Sequence, residues 1–193
     1  MIVISNVARR WRGPEVITST RGPTALPSGC RRAPSGGGRE NQADMFIIAC
    51  PRQSPVDGHQ LASVLSAAIR VASPILVAVA DSEILGPPYP VLHTNGAEVV
   101  YLSPRPLIVL VDQATRVVWG DYYLLPRSVE LDQFSACESP VAALPLAQAL
   151  VRCEDESDIR CYSLDERIAN ELLRSIPHST LTTAPLEGGQ FRW

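Results

Sequence analysis

The chain has 193 residues, 46% of them hydrophobic, with twenty acidic residues against seventeen basic ones and a net charge of −3. That length supports one real hydrophobic core and leaves no room for two full domains. All seventeen basic residues are arginine, which excludes a Walker-type phosphate loop, a lysine Schiff base and a lysine general base.

No apolar run approaches the roughly 20 residues a membrane span needs, and the amino terminus lacks an apolar signal segment. The expectation is a soluble, cytoplasmic protein without membrane contact. Five cysteines, Cys30, Cys50, Cys137, Cys153 and Cys161, include no Cys-x-x-Cys pair. An odd count without an export signal argues against a disulfide framework and a thiolate zinc site, so reduced thiols are expected.

Residues 1–44 carry seven arginines against Glu15, Glu40 and Asp44, a net +4 that leaves −7 on the rest of the chain. With Pro34-Ser35-Gly36-Gly37-Gly38 inside it, this segment buries too little apolar surface to offset its ordering entropy. It reads as a disordered basic arm able to bind nucleic acid, or as an over-called start ahead of Met45.

Phe46-Ile47-Ile48-Ala49 is a short apolar run suited to a buried strand, closed by Cys50-Pro51. Ser54-Pro55-Val56-Asp57 reads as a helix start with Ser54 as cap, and Leu61, Val64, Leu65, Ala68 and Ile69 follow on one helical face. Ser73-Pro74 ends that helix. Ile75–Ala80, ending at Asp81, and Leu107–Val111, ending at Asp112, read as strands buried on both faces. Between them, Val91 to Leu102 reads as two short extended pieces around an Asn95-Gly96 turn. Asp112 to Thr115 then turns the chain into a strand from Arg116 to Leu124. Farther on, the pattern predicts a helix near Pro145–Arg152, an acidic loop at Glu154–Asp158 and a strand at Ile159–Tyr162. The last helix opens on a capping box, Ser163-Leu164-Asp165-Glu166, with Ile168, Ala169, Leu172, Leu173 and Ile176 on one face. From Pro177 a loose tail is expected.

The order strand, helix, strand, proline-led strand and hairpin resembles the thioredoxin-like (redoxin) group over about residues 45–136. The stretch that carries the likeness is Arg105-Pro106-Leu107-Ile108-Val109-Leu110-Val111-Asp112, returning through Arg116-Val117-Val118-Trp119. The resemblance implies a cis-proline at Pro106, with Pro104 as its rival, and a closing helix that begins between Ser128 and Phe134. It also places the redox motif at Cys50-Pro51-Arg52-Gln53, where the second, resolving cysteine is missing. A one-cysteine nucleophile at Cys50, its pKa lowered by Arg52, stands against a buried strand-end thiol.

Other candidates are sparser. Asp81, Glu83 and Asp112 lie near strand ends, where carboxylates bind a metal or, more commonly, cap a turn. His59, His93 and His178 are the only histidines. Trp119, Tyr122 and Tyr123 cluster on one strand, and alternation puts Trp119 and Tyr123 on one face with Tyr122 on the other, offering a partner anchor. No motif asks for a cofactor.

The fold expected is therefore α/β: a mixed sheet with flanking helices, a thioredoxin-like core at 45–136, a helix-strand-helix extension packed on it at 137–180, and a tail at 181–193. The leading function is a non-catalytic accessory module that binds a protein partner. A one-cysteine thiol-redox enzyme using Cys50 and a nucleic-acid-associated protein using the basic arm are the alternatives.

Overall fold

The computed structural model describes residues 43–51, 55–86, 90–94, 99–137 and 139–186. The arm before Ala43, Arg52 and Ser54, and the expected Asn95-Gly96 turn lie outside the described residues, as does the tail after Leu186. The architecture is α/β, with strands β1 (Asp44–Ala49), β2 (Leu76–Leu85), β3 (Pro90–His93), β4 (Val100–Leu102), β5 (Arg116–Leu125), β6 (Ala149–Glu154), β7 (Asp158–Ser163) and β8 (Thr180–Pro185). The helices are α1 (Gly58–Ala72), α2 (Pro104–Asp112), α3 (Leu131–Ser135), α4 (Pro140–Ala143) and α5 (Glu166–Ser175), with a 3-10 turn at Leu144–Leu146.

All eight strands join one sheet in the order β3-β2-β5-β6-β7-β1-β8, with β4 beside the first half of β2 and β3 beside its second half. Every pairing among the described strands is antiparallel, which corrects the expected mixed sheet. Alternation along β1 sends Ile48 to one face and Met45 and Ile47 to the other, and each face carries its own core. The first face is covered by α1, α2 and α5, which add residues such as Leu61, Leu65, Leu107 and Leu172. On the second, Phe134, Ala143 and Leu144 from α3, α4 and the 3-10 turn cover Tyr123, Leu150 and Tyr162.

Several elements differ from the sequence reading for identifiable reasons. Leu107–Val111 is helix, not strand: Ser103 is the N-cap, and Leu107 and Val111, one turn apart, are the buried pair while Val109 faces solvent. A short apolar run fits either period, and here the prolines at its start favour the first turn of a helix. The helix expected over Pro145–Arg152 gives way to the 3-10 turn and β6, whose residues Ala149–Cys153 are all buried between β5 and β7. The loose tail after Pro177 is instead β8, paired with β1 from Asp44↔Pro185 to Ala49↔Thr180. That pairing also begins β1 at Asp44, one residue before Met45.

Three smaller boundaries shift. Helix α1 is capped by Asp57, which accepts from the Gln60 amide at 2.8 Å while Gln60 Oε1 accepts from the Asp57 amide at 3.2 Å, a complete capping box. It ends as expected at Ser73, in the left-handed region at φ 52°. Helix α5 is capped by Asp165 rather than Ser163, whose hydroxyl instead donates to the Gln148 carbonyl at 2.9 Å. Strand β2 runs through Asp81 to Leu85 by way of a bulge, with Asp81 at φ 46°. The bulge turns Ser82 into the core, where its hydroxyl shares a hydrogen bond of 3.0 Å with the Tyr122 hydroxyl.

Candidate functional site

The residue immediately after β1 is Cys50, whose amide donates to the Ile159 carbonyl of β7 at 2.9 Å. This continues the β1–β7 register, in which Ile48 faces Cys161. Cys161 is thus the diagonal neighbour of Cys50 on the same face of the sheet. The Cys161 thiol is fully buried, and that of Cys50 is half-buried. Hydrogen bonding to Cys161 lowers the Cys50 pKa from its ordinary value against the opposing effect of burial, while Cys161 itself is pushed well up.

Cys50 lines a cleft of about 530 Å³ whose walls include Asp57, His59, Ser63, Ile159 and His178. Its rim is set by backbone bonds that pin the approach to α1: Val56 N–H donates to the Glu156 carbonyl at 2.8 Å, Val117 N–H to the Val56 carbonyl at 2.9 Å, and Gly58 N–H to the Ala114 carbonyl at 3.1 Å. The acidic loop takes part in this clasp, because Arg116 makes a two-pronged ion pair with the Glu156 carboxylate. The loop is therefore more than a solvated connector. His59, in the first turn of α1, places Nδ1 3.0 Å from Asp112 Oδ1 at the end of α2, and both side chains are exposed. With Nδ1 engaged by the carboxylate, Nε2 is the nitrogen left for other partners in the cleft.

This arrangement puts the Cys50 thiol and His59 on the walls of one cleft, with Cys161 buried behind the first and Asp112 held to the second. Sequence reading singled out Cys50 but assigned its activation to Arg52, which lies outside the described residues. Cys161 was missed as a neighbour because register between strands more than a hundred residues apart is not written in either strand. Pro106 is exposed in the first turn of α2 and is not among the residues lining the cleft. Asp112 faces His59, while Asp81 sits on the β2 bulge and Glu83 pairs with Trp119 across β2 and β5. Among the described residues no group of three or more His, Cys, Asp or Glu side chains is placed to hold a metal ion.

The aromatic trio divides by face as alternation requires. Tyr122 and Tyr123 are buried, one in each core, with the Tyr123 ring edge-on to Phe134 at 5.2 Å. Trp119 is 39% exposed and is the member of the trio open to solvent. On the same face as Tyr123, Asp121 and Arg152 form a buried two-pronged ion pair at 2.5 and 2.6 Å. No helix among the described residues is long and apolar enough to cross a membrane. Comparison of the chain with protein-family models, with curated proteins and with solved structures finds no match, so the reading of this site rests on its own geometry.

Proposed function

We propose that the protein carries out thiol chemistry at Cys50, in the cleft between the end of β1, the start of α1 and the Pro177-His178 turn. The observation that carries this reading is the placement of Cys50: half-buried on the cleft wall, beside a buried thiol that favours its thiolate form. A reactive cysteine needs access and a lowered pKa together, and Cys50 combines the two. Cys137 and Cys153 are both pushed the other way, Cys153 to about 12 by burial and the surrounding acidic loop. The 530 Å³ cleft supplies room for a substrate beside the sulfur. His59, held by Asp112, is the candidate proton carrier in that space.

The test is the pH dependence of iodoacetamide alkylation in the native, reduced protein, with each cysteine followed by mass spectrometry. Cys50 is expected to react at lower pH and faster than Cys137 or Cys153. If Cys50 stays silent until the protein unfolds, thiol chemistry there is not the function.

In that event the second reading takes over: a non-catalytic module that binds a protein partner through its surface. Its supporting observation is the exposure of Trp119 on a sheet strand, opposite Glu83. Tyr122 and Tyr123 are core residues and add nothing to such a surface. Nucleic-acid binding by the basic arm depends on residues outside those described. The redoxin kinship likewise stays a proposal, supported by the Cys50 placement and not by Pro106.

A further inference from the structure

The resolving cysteine that the Cys50-Pro51-Arg52-Gln53 segment lacks has a counterpart on another strand. We propose that Cys50 and Cys161 close a reversible disulfide between β1 and β7 that withdraws the Cys50 sulfur from the cleft, a redox-controlled modification that regulates the thiol site. The inference rests on the reading of Cys50 as the reactive thiol.

Three geometric facts carry it. Cys50 and Cys161 share a sheet face, one pleat apart on adjacent antiparallel strands, by the register that pairs Ile48 with Cys161 and bonds the Cys50 amide to Ile159. Cys50 stands one residue beyond the end of β1, so the shift needed to reach bonding distance falls at a strand end, where the bond from the Cys50 amide to the Ile159 carbonyl is the pairing it disturbs. Cys161 is 0% exposed, which denies outside reagents direct access and leaves Cys50 as the entry point.

The oxidant is a small external disulfide such as oxidised glutathione. The Cys50 thiolate attacks one of its sulfurs; the external S–S bond breaks, a Cys50–glutathione disulfide forms, and one glutathione leaves as thiolate. Cys161 then gives up its proton and attacks the Cys50 sulfur, expelling the second glutathione thiolate. The protein's two thiols are oxidised by two electrons, and one glutathione disulfide becomes two glutathione thiols once protons are taken up. An external dithiol reverses the sequence.

The experiment treats the full chain with oxidised glutathione, maps peptides without reduction, and measures iodoacetamide incorporation at Cys50 before and after. The expected result is a Cys50–Cys161 linked peptide, a chain two hydrogens lighter, and a loss of Cys50 alkylation that dithiothreitol restores. In Cys161→Ser the expected product is glutathione retained on Cys50. Wild-type protein that keeps glutathione on Cys50 while Cys161 stays alkylatable after denaturation overturns the proposal. So does a bridge from Cys50 to any other cysteine, or a disulfide-linked dimer. Any of these three outcomes leaves the proposed function standing, because that depends only on Cys50 alkylation in the reduced protein. The wild-type map requires no variant to fold.

Discussion

Arg152 and Asp121 pair across β6 and β5 near the middle of the sheet, and both are almost fully buried. Burial raises the Asp121 carboxyl from its ordinary value, while the hydrogen bonds and charge of Arg152 pull it back down. Burial likewise disfavours the charged Arg152, but its bonds to Asp121 outweigh this and keep it cationic. A buried pair of this kind adds little net stability when intact, yet removing one partner leaves the other without its main compensation. Asp121→Ala is therefore expected to cost about 3 kcal/mol, read as a lower urea midpoint with an unchanged slope. The sequence marks neither residue, since an aspartate and an arginine in separate strands look like ordinary surface charges. The opposite holds for Cys50, legible as a candidate because it closes an apolar strand, although its partner thiol was not.

At the scale of elements, the contact between α1 and the chain leaving α2 leaves no room for a side chain at its closest point. Gly58, the first residue of α1, donates its amide to Ala114, and a Cβ there would fall inside contact distance of the backbone carbonyls of Val111 and Ala114. Backbone atoms cannot rotate away as a side chain does. Gly58→Ala is accordingly expected to destabilise the fold by roughly 1–3 kcal/mol, visible as a lower thermal midpoint, and to slow Cys50 alkylation less than it lowers stability. Helix α1 was readable from its three-and-four spacing, and β1 and β2 from the apolar runs Phe46–Ala49 and Ile75–Ala80. Helix α2 and strand β6 were not, because short apolar runs such as Leu107–Val111 and Ala149–Val151 satisfy both periods. Their outcome depended on position in the sheet: β6 fills the slot between β5 and β7, whereas Leu107–Val111 lies over α1 and β2.

For the molecule as a whole, two cores on opposite faces of one sheet bury an unusual set of weak acids. Tyr101, Tyr122, Tyr123, Tyr162, Cys153 and Cys161 all have pKa values raised above their ordinary 9.0 or 10.0; burial is the leading cause for all but Cys161, where the hydrogen bond from Cys50 leads. In the unfolded chain these groups lose their protons near their ordinary values, while the folded chain holds them. Above pH of about 9 the unfolded state thus binds fewer protons, and stability falls as pH rises. Cys50 acts in the opposite sense, because its lowered pKa adds stability as pH rises from its folded value to its unfolded one; it is one group against seven once Cys137, also raised by burial, is included. Urea midpoints measured from pH 8 to pH 10.5 are expected to decline steadily above pH 9, and a flat profile would mean these groups titrate normally in the folded state.

By itself, the sequence determined the α/β class, the helix α1 with its end at Ser73, several strand cores and the candidacy of Cys50. Each of these is a local matter of periodicity, turn chemistry or residue type, carried within a dozen consecutive residues. Tertiary structure decided the antiparallel order of the sheet, the fates of α2, β6 and β8, and the meeting of Cys50 with Cys161 and of His59 with Asp112. Those depend on register between distant segments, and a strand's pattern states which face is apolar without stating which neighbour it will find.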